Sequence, residues 1–169
     1  MNLYPARLLP WWLSTRRRTP ERLAVDSSVF VKWFKKGEEY EGEALQLFED
    51  AVSGGLQLVC SEWALLEVAR ALRKAGFPPD KVEESYLLLK DLVGLGSIEL
   101  VPVSEVLDLA KTLVVELNLY ASDAVHLAAA ITRSADLLTE DAHLLRREII
   151  EYAGKRGLRV LQLKSLRES

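Results

Sequence analysis

Short apolar runs alternate with longer amphipathic stretches along this chain, and this alternation constrains the fold more than any other feature. Five runs are strand candidates: Leu23–Val25, Leu56–Val59, Ile98–Val101, Asp136–Leu138 and Arg159–Leu161. Strands that are separated by helices pair in parallel, and the helices cover both faces of the sheet. The sequence therefore predicts an α/β fold, a three-layer α/β/α sandwich around a central parallel sheet of about five strands.

The amphipathic stretches between these runs are the predicted helices. They cover about Ser28–Lys35, Glu39–Ser53, Ser61–Ala75, Pro79–Val93, Ser104–Asn118, Ser122–Thr132 and Asp141–Ala153. Serines 61, 104 and 122 are predicted N-caps, because a serine hydroxyl can accept a hydrogen bond from a backbone N–H of the first turn. We find no linker that would divide the chain after residue 20.

Length and composition favour one folded domain that follows an N-terminal extension. The chain has 169 residues and is 49% hydrophobic, enough to bury a sizeable core. We predict an extension at residues 1–20 and a domain at residues 21–169. In the extension, the basic cluster Arg16–Arg18 follows the apolar segment Leu8–Leu13, the reverse of the order in a signal peptide.

The charge and the cysteine usage limit the classes of function. The net charge is −3, so overall charge does not attract nucleic acid, and such a partner would need a local basic patch or metal ions. The single cysteine, Cys60, cannot form an internal disulfide, which is typical of a reducing compartment. No segment is long enough to span a membrane. We predict a cytoplasmic protein without a membrane partner.

Four acidic residues lie in apolar surroundings, where an isolated buried carboxylate is costly. Asp26 ends the first apolar run, and Glu67 lies within an apolar stripe of its helix. Asp123 opens a second apolar helix, and Asp141 follows the apolar pair Leu137 and Leu138. Buried carboxylates are usually paired, hydrogen-bonded or bound to a metal.

Each acid also has a simpler structural explanation. Asp26 and Asp123 could cap a helix or interact with its dipole. Glu67 could form a salt bridge with Arg70, three residues further on, or with another helix. Asp141 could also interact with a helix dipole, and its neighbour Glu140 is a competing ligand.

Taken together, the four acids predict a metal site. In parallel sheets the ligand site lies beyond the carboxyl ends of the strands, where these acids would meet. Carboxylate oxygens favour Mg²⁺ or Mn²⁺. Zinc is disfavoured, because the chain has one cysteine, two histidines and no paired ligand spacing. His126, one turn after Asp123, is a possible base or ligand, although a lone histidine on a helix is more often structural.

Four segments resemble the motifs of PIN domain nucleases, the family that includes VapC-type toxins. They are Val25–Val29 around the first acid, Ser61–Val68 around the second, Ala121–Ala130 around the third and Leu137–Asp141 around the fourth. No single segment is specific, but the order and spacing of all four are. The resemblance runs from about residue 22 to about residue 163.

The resemblance implies a metal-dependent endoribonuclease that cleaves single-stranded RNA. The implied catalytic residues and ligands of Mg²⁺ or Mn²⁺ are Asp26, Glu67, Asp123 and Asp141. Ser27 and Thr139 would not bind the metal themselves but would orient carboxylates or water through hydrogen bonds. Cations must offset the repulsion between an acidic pocket and phosphate, and Arg70 and Arg73, on the helix of Glu67, are candidates for substrate binding.

A VapC-type toxin would also have a small antitoxin partner and would form a homodimer. The alternatives are an RNA-processing PIN nuclease without an antitoxin and a non-catalytic PIN-like binding module. A haloacid-dehalogenase-like phosphatase also has an aspartate after its first strand, but it requires a second aspartate two positions later, where this chain has Ser28. A receiver-type signalling domain would need paired acids at the first strand end, which are missing here.

Overall fold

The computed structural model describes residues 22–166, and the predicted extension, residues 1–20, lies outside the described residues. Five strands form one parallel sheet: β1 (Arg22–Val25), β2 (Gln57–Ser61), β3 (Ile98–Val101), β4 (Asp136–Leu138) and β5 (Val160–Leu161). Their order across the sheet is β3-β2-β1-β4-β5. The predicted parallel sheet is confirmed, and each strand begins and ends within two residues of its predicted bounds.

Seven α-helices and one 3₁₀ helix connect or follow the strands within residues 22–166. The α-helices are α1 (Ser27–Val31), α2 (Glu41–Val52), α3 (Glu62–Lys74), α4 (Pro79–Gly94), α5 (Val103–Leu117), α6 (Ala121–Thr132) and α7 (Arg147–Gly154). The 3₁₀ helix covers Leu163–Leu166. Most of the helices therefore form where the amphipathic stretches predict them.

The apolar side chains form two core clusters, one on each face of the sheet. Successive side chains of a strand point to opposite faces. In β1, Leu23 and Val25 accordingly belong to one cluster, with Phe30 of α1, whereas Ala24 belongs to the other. The second cluster contains most of α6, in which every residue from 124 to 130 is buried. The predicted three-layer arrangement is thus confirmed, with the sheet between two layers of helices.

The predicted helix at Asp141–Ala153 is wrong in its first part, because α7 begins at Arg147. The Asp141 side chain accepts a hydrogen bond from the backbone N–H of His143 at 2.7 Å. This local bond favours a turn over a continuous helix. The helix predicted at Ser28–Lys35 is also shorter than expected, because it ends at Val31. The backbone N–H groups of Lys32 and Trp33 donate to carbonyls three residues earlier, as in a turn.

The predicted serine caps are also corrected. Ser61 does occupy the N-cap position of α3, but its hydroxyl makes no capping bond and contacts a histidine instead. Ser104 and Ser122 lie inside α5 and α6, whose N-cap positions are held by Pro102 and Tyr120. No single helix within residues 22–166 is both long and apolar enough to cross a membrane. Taken together, α5 and α6 have the length and composition of a membrane span, but the pair is sharply bent between the two helices.

Candidate active site

Asp26 lies where β1 ends and α1 begins, and its side chain is almost fully buried, with 2% of the residue exposed. Its Oδ1 accepts hydrogen bonds from the backbone N–H and the hydroxyl of Ser28, at 3.0 and 2.5 Å. Its Oδ2 accepts a bond from the Thr139 hydroxyl at 2.5 Å. Burial raises the pKa of Asp26, while the charge of His126 and these hydrogen bonds oppose the rise. Asp26 thus caps α1 and still has a lone pair on Oδ2.

The pairing of β1 with β4 explains why Thr139 reaches Asp26. Val25 lies beside Leu138 in the sheet, so the residues that follow them are also neighbours. Thr139 is fully buried, and its hydroxyl also accepts a bond from the backbone N–H of Asp141 at 3.0 Å. The Thr139 hydroxyl therefore connects the Asp26 carboxylate to the backbone of Asp141.

Glu67 lies in the middle of α3, and its Oε2 accepts two hydrogen bonds. The donors are the Ser27 hydroxyl at 2.8 Å and the Nε2 of His126 at 2.6 Å. Burial raises the pKa of Glu67, but the hydrogen bond and charge of His126, together with hydrogen bonds from Ser27 and Ser122, outweigh burial and hold this pKa below its ordinary value. Arg70 is exposed and forms no ion pair with Glu67, so the predicted salt bridge to Arg70 is wrong. The other predicted alternative, an ion pair with another helix, is present, because His126 lies on α6.

His126 is the site residue whose role the sequence did not predict. It is 4% exposed, and its Nδ1 lies 3.0 Å from the Ser61 hydroxyl while its Nε2 contacts Glu67. Burial lowers the pKa of His126, but the hydrogen bond to Glu67 and the charges of Asp26, Glu67 and Asp123 together outweigh burial and raise this pKa. The available sequence signal was its position one turn after Asp123 in an otherwise apolar helix.

Asp123 lies in the first turn of α6 and is 6% exposed. Its Oδ2 is buried and has no hydrogen-bond partner within residues 22–166. Burial, together with the negative charge of Asp141, raises the pKa of Asp123 to about 6, and Asp26 contributes to this rise. The charges of both Asp141 and Asp26 therefore act on Asp123.

Asp141 and Glu140 differ in what their side chains contact. The Glu140 Oε1 accepts a hydrogen bond from the backbone N–H of Leu163 at 2.6 Å, and so anchors the 3₁₀ helix. The Asp141 side chain contacts its own turn, and its charge acts on Asp123. The Glu140 carboxylate is therefore occupied by the 3₁₀ helix, whereas the charge of Asp141 acts on Asp123.

The two arginines proposed for substrate binding do not join this cluster. Arg73 lies in the last turn of α3 and donates to the backbone carbonyl of Phe77 at 2.5 Å. Arg70 is exposed on the same helix. A helix rises about 1.5 Å per residue, so Arg73 lies about 9 Å along the axis from Glu67.

The donor chemistry of the cluster fits a hard divalent cation. Within residues 22–166, no three histidine, cysteine or acidic side chains are arranged as the ligands of one ion. Several carboxylate oxygens are instead engaged by hydroxyls and by His126. The unpartnered Oδ2 of Asp123 is the exception, because a buried carboxylate oxygen without a hydrogen bond is costly unless a cation approaches it.

The fold and the site define a class of protein: a parallel α/β/α sandwich with buried acids at the carboxyl edge of its sheet. The sequence matches the PIN domain family over residues 23–149, and the chain belongs to this family of nucleases. The resemblance found in the four motif segments is thereby confirmed. The chain matches none of the curated proteins with which it was compared.

Solved structures share the fold at low sequence identity. VapC20 of Mycobacterium tuberculosis, described as a sarcin–ricin loop cleaving toxin, has a TM-score of 0.57 and 15% identity, over 71% of this chain and 90% of that chain. VapBC2 of Rickettsia felis, bound to a DNA fragment from its promoter, has a TM-score of 0.55 and 16% identity, over 83% and 98%. A toxin–antitoxin complex from Klebsiella pneumoniae has a TM-score of 0.52 and 20% identity, over 70% and 86%.

Proposed function

We propose that this protein is a metal-dependent endoribonuclease that cleaves the phosphodiester bonds of single-stranded RNA. The observation that carries the proposal is the buried, unpartnered Oδ2 of Asp123, which lies within reach of the charges of Asp141 and Asp26. Repulsion among these acids would be relieved by a divalent cation. Membership of the PIN domain family supports the same chemistry.

In this proposal, Asp26, Glu67, Asp123 and Asp141 hold Mg²⁺ or Mn²⁺. When bound, the ion would supply positive charge that activates water and offsets the charge that develops on the phosphate. The other polar groups hold the carboxylates in position through hydrogen bonds. Ser27 and His126 fix the orientation of Glu67, and Thr139 fixes that of Asp26.

We further propose that the protein is the toxin of a type II toxin–antitoxin pair, acts in the cytoplasm, forms a homodimer and binds a small antitoxin. Structures described as VapC and toxin–antitoxin proteins share its fold, which supports this proposal. Leu87 and Leu88 of α4 are exposed and offer an apolar surface for one of these partners. A neighbouring gene for a small DNA-binding-like protein would favour this proposal over an RNA-processing nuclease without an antitoxin.

The test of nuclease activity compares the wild type with Asp26→Asn and Asp123→Asn on a fluorescently labelled single-stranded RNA. We expect cleavage by the wild type with Mn²⁺ or Mg²⁺, inhibition by EDTA and loss of cleavage in both variants. Asp108→Asn, an exposed position on α5, is the control for the loss of one charge. Full cleavage by folded Asp26→Asn would refute the assignment. A wild type that neither cleaves RNA nor binds Mn²⁺ in calorimetry would be a binding module.

A further inference from the structure

Two aromatic rings lie together beside the acidic cluster and have no part in the proposed chemistry. Tyr120 immediately precedes α6, three residues before Asp123, and His143 follows Asp141 by two residues. Their ring centroids are 4.9 Å apart and the rings meet edge to face, at 87°. The backbone N–H of His143 donates to Asp141 Oδ1 at 2.7 Å, so the pair lies beside the acids.

The Tyr120 ring is exposed although the backbone on both sides is held in place. Tyr120 is 65% exposed, whereas the preceding residue, Leu119, is buried. The Tyr120 carbonyl accepts the hydrogen bond from Ala124 that begins α6. An aromatic residue that lies on rigid backbone and is mostly in water presents its ring to a ligand at a low entropic cost.

The turn that carries His143 is anchored to the same region. Arg146 donates from Nε to the His143 carbonyl at 3.1 Å and from Nη2 to the Leu117 carbonyl at 2.9 Å. The guanidinium of Arg146 thus connects the end of α5 to the turn after Asp141. The backbone segments that carry the two rings are therefore tied to each other beside the acids.

We propose that Tyr120 is a stacking platform for an RNA base that flanks the scissile phosphate, with His143 supporting its ring. The inference rests on the proposed ribonuclease function and adds a base-binding subsite to it. The acidic cluster repels phosphate, and Arg73 is engaged by a carbonyl, so uncharged stacking is a suitable source of affinity beside the acids. Stacking on an aromatic ring tolerates any base sequence.

The subsite also gives a physical reason for single-stranded substrates. A base inside a duplex is already stacked between its neighbours and cannot offer a free face to Tyr120. A base in a single strand can turn towards the ring, as in other proteins that bind single strands through aromatic side chains.

The test measures the affinity of the protein for a fluorescein-labelled RNA octamer by anisotropy, in EDTA at low salt. We expect Tyr120→Ala to raise the Kd about tenfold and Tyr120→Phe to leave it within about twofold, because a phenyl ring also stacks. Leu95→Ala is the matched control. Leu95 is 76% exposed, but it precedes β3 and so lies at the amino ends of the strands, away from the acids at their carboxyl ends.

A second measurement identifies the stacked base directly. In a series of octamers that each lack one base, one position should weaken binding to the wild type about tenfold and have no effect on Tyr120→Ala. Equal affinities of the wild type, Tyr120→Ala and Tyr120→Phe, or no position at which the loss depends on Tyr120, would overturn the subsite. RNA cleavage by the wild type with Mn²⁺ in the same preparation separates this failure from failure of the ribonuclease function.

Discussion

Replacement of Asp123 by asparagine should stabilise the metal-free protein at neutral and alkaline pH. The carboxylate is buried, its Oδ2 has no partner within residues 22–166, and Asp141 repels it. Its pKa is raised from 3.8 to about 6. A shift of about 2 pKa units corresponds to about 3 kcal/mol, at about 1.36 kcal/mol per unit. A neutral amide removes this penalty, and we expect a net gain of about 2–3 kcal/mol at pH 8.

The sign of the pH dependence follows from proton binding. The folded state binds the Asp123 proton more tightly than the unfolded chain does, so this group makes folding less favourable as the pH rises. The penalty begins near pH 4, where the unfolded carboxyl ionises, and is complete about one unit above the folded pKa. At pH 5 it has reached about half of its full value. The advantage of Asp123→Asn should therefore grow with pH.

Urea unfolding in EDTA at pH 5 and pH 8 measures this effect directly. The control Asp108→Asn removes an exposed carboxylate and should unfold like the wild type at both pH values. Mn²⁺ at about 100 times its Kd should then stabilise the wild type by about 2.7 kcal/mol and Asp123→Asn by much less. If Asp123→Asn were less stable than the wild type at pH 8, or equally stabilised at pH 5 and pH 8, burial of a charge at this position would not limit stability and the reasoning would fail.

Three further predictions concern other parts of the domain. Asp141→Asn should weaken Mn²⁺ binding in calorimetry, whereas Glu140→Gln should leave it unchanged, because Glu140 anchors the backbone of the 3₁₀ helix; equal losses would contradict the distinction. The Cys60 thiol, whose pKa burial raises to about 12, should react with a thiol reagent only as fast as the protein unfolds, and rapid labelling of the folded protein would disprove this. Leu127→Ala, in the fully buried face of α6, should lower the free energy of unfolding in urea by about 2–5 kcal/mol, and exposed Leu95→Ala by less than about 0.5 kcal/mol.

The sheet could be predicted from sequence because its strands are short, apolar and separated by helices. In β1, for example, residues 23–25 are all apolar and all buried, as expected of a strand covered on both faces. The start of α7 could not be predicted in this way. Helical periodicity continues back to Asp141, but the aspartate side chain competes for the backbone N–H of His143 and a turn forms instead.

The acids of the candidate site could be predicted because each lies in an apolar context, but their contacts could not. The Ser61–His126 contact joins residues 65 positions apart, and the Ser27–Glu67 contact joins residues 40 positions apart. Such pairs depend on how α3 and α6 pack against the sheet and on side-chain rotamers. Arg73 shows the same limit, because sequence cannot distinguish a free cation from one that donates to a nearby carbonyl.

The acids of the site fall into two groups that differ in their hydrogen-bond partners within the chain. Asp26 and Glu67 accept hydrogen bonds from hydroxyls and, for Glu67, from His126, whose charge acts on both carboxylates. Asp123 has an Oδ2 without a partner within residues 22–166 and is repelled by Asp141, while the charges of His126 and His143 oppose the rise in its pKa. Because the hydrogen-bonded part of the site joins β1, α3 and α6, we expect the domain to fold without metal. A bound cation would then lower the free energy most at Asp123, and loss of this carboxylate should weaken metal binding while it stabilises the metal-free protein.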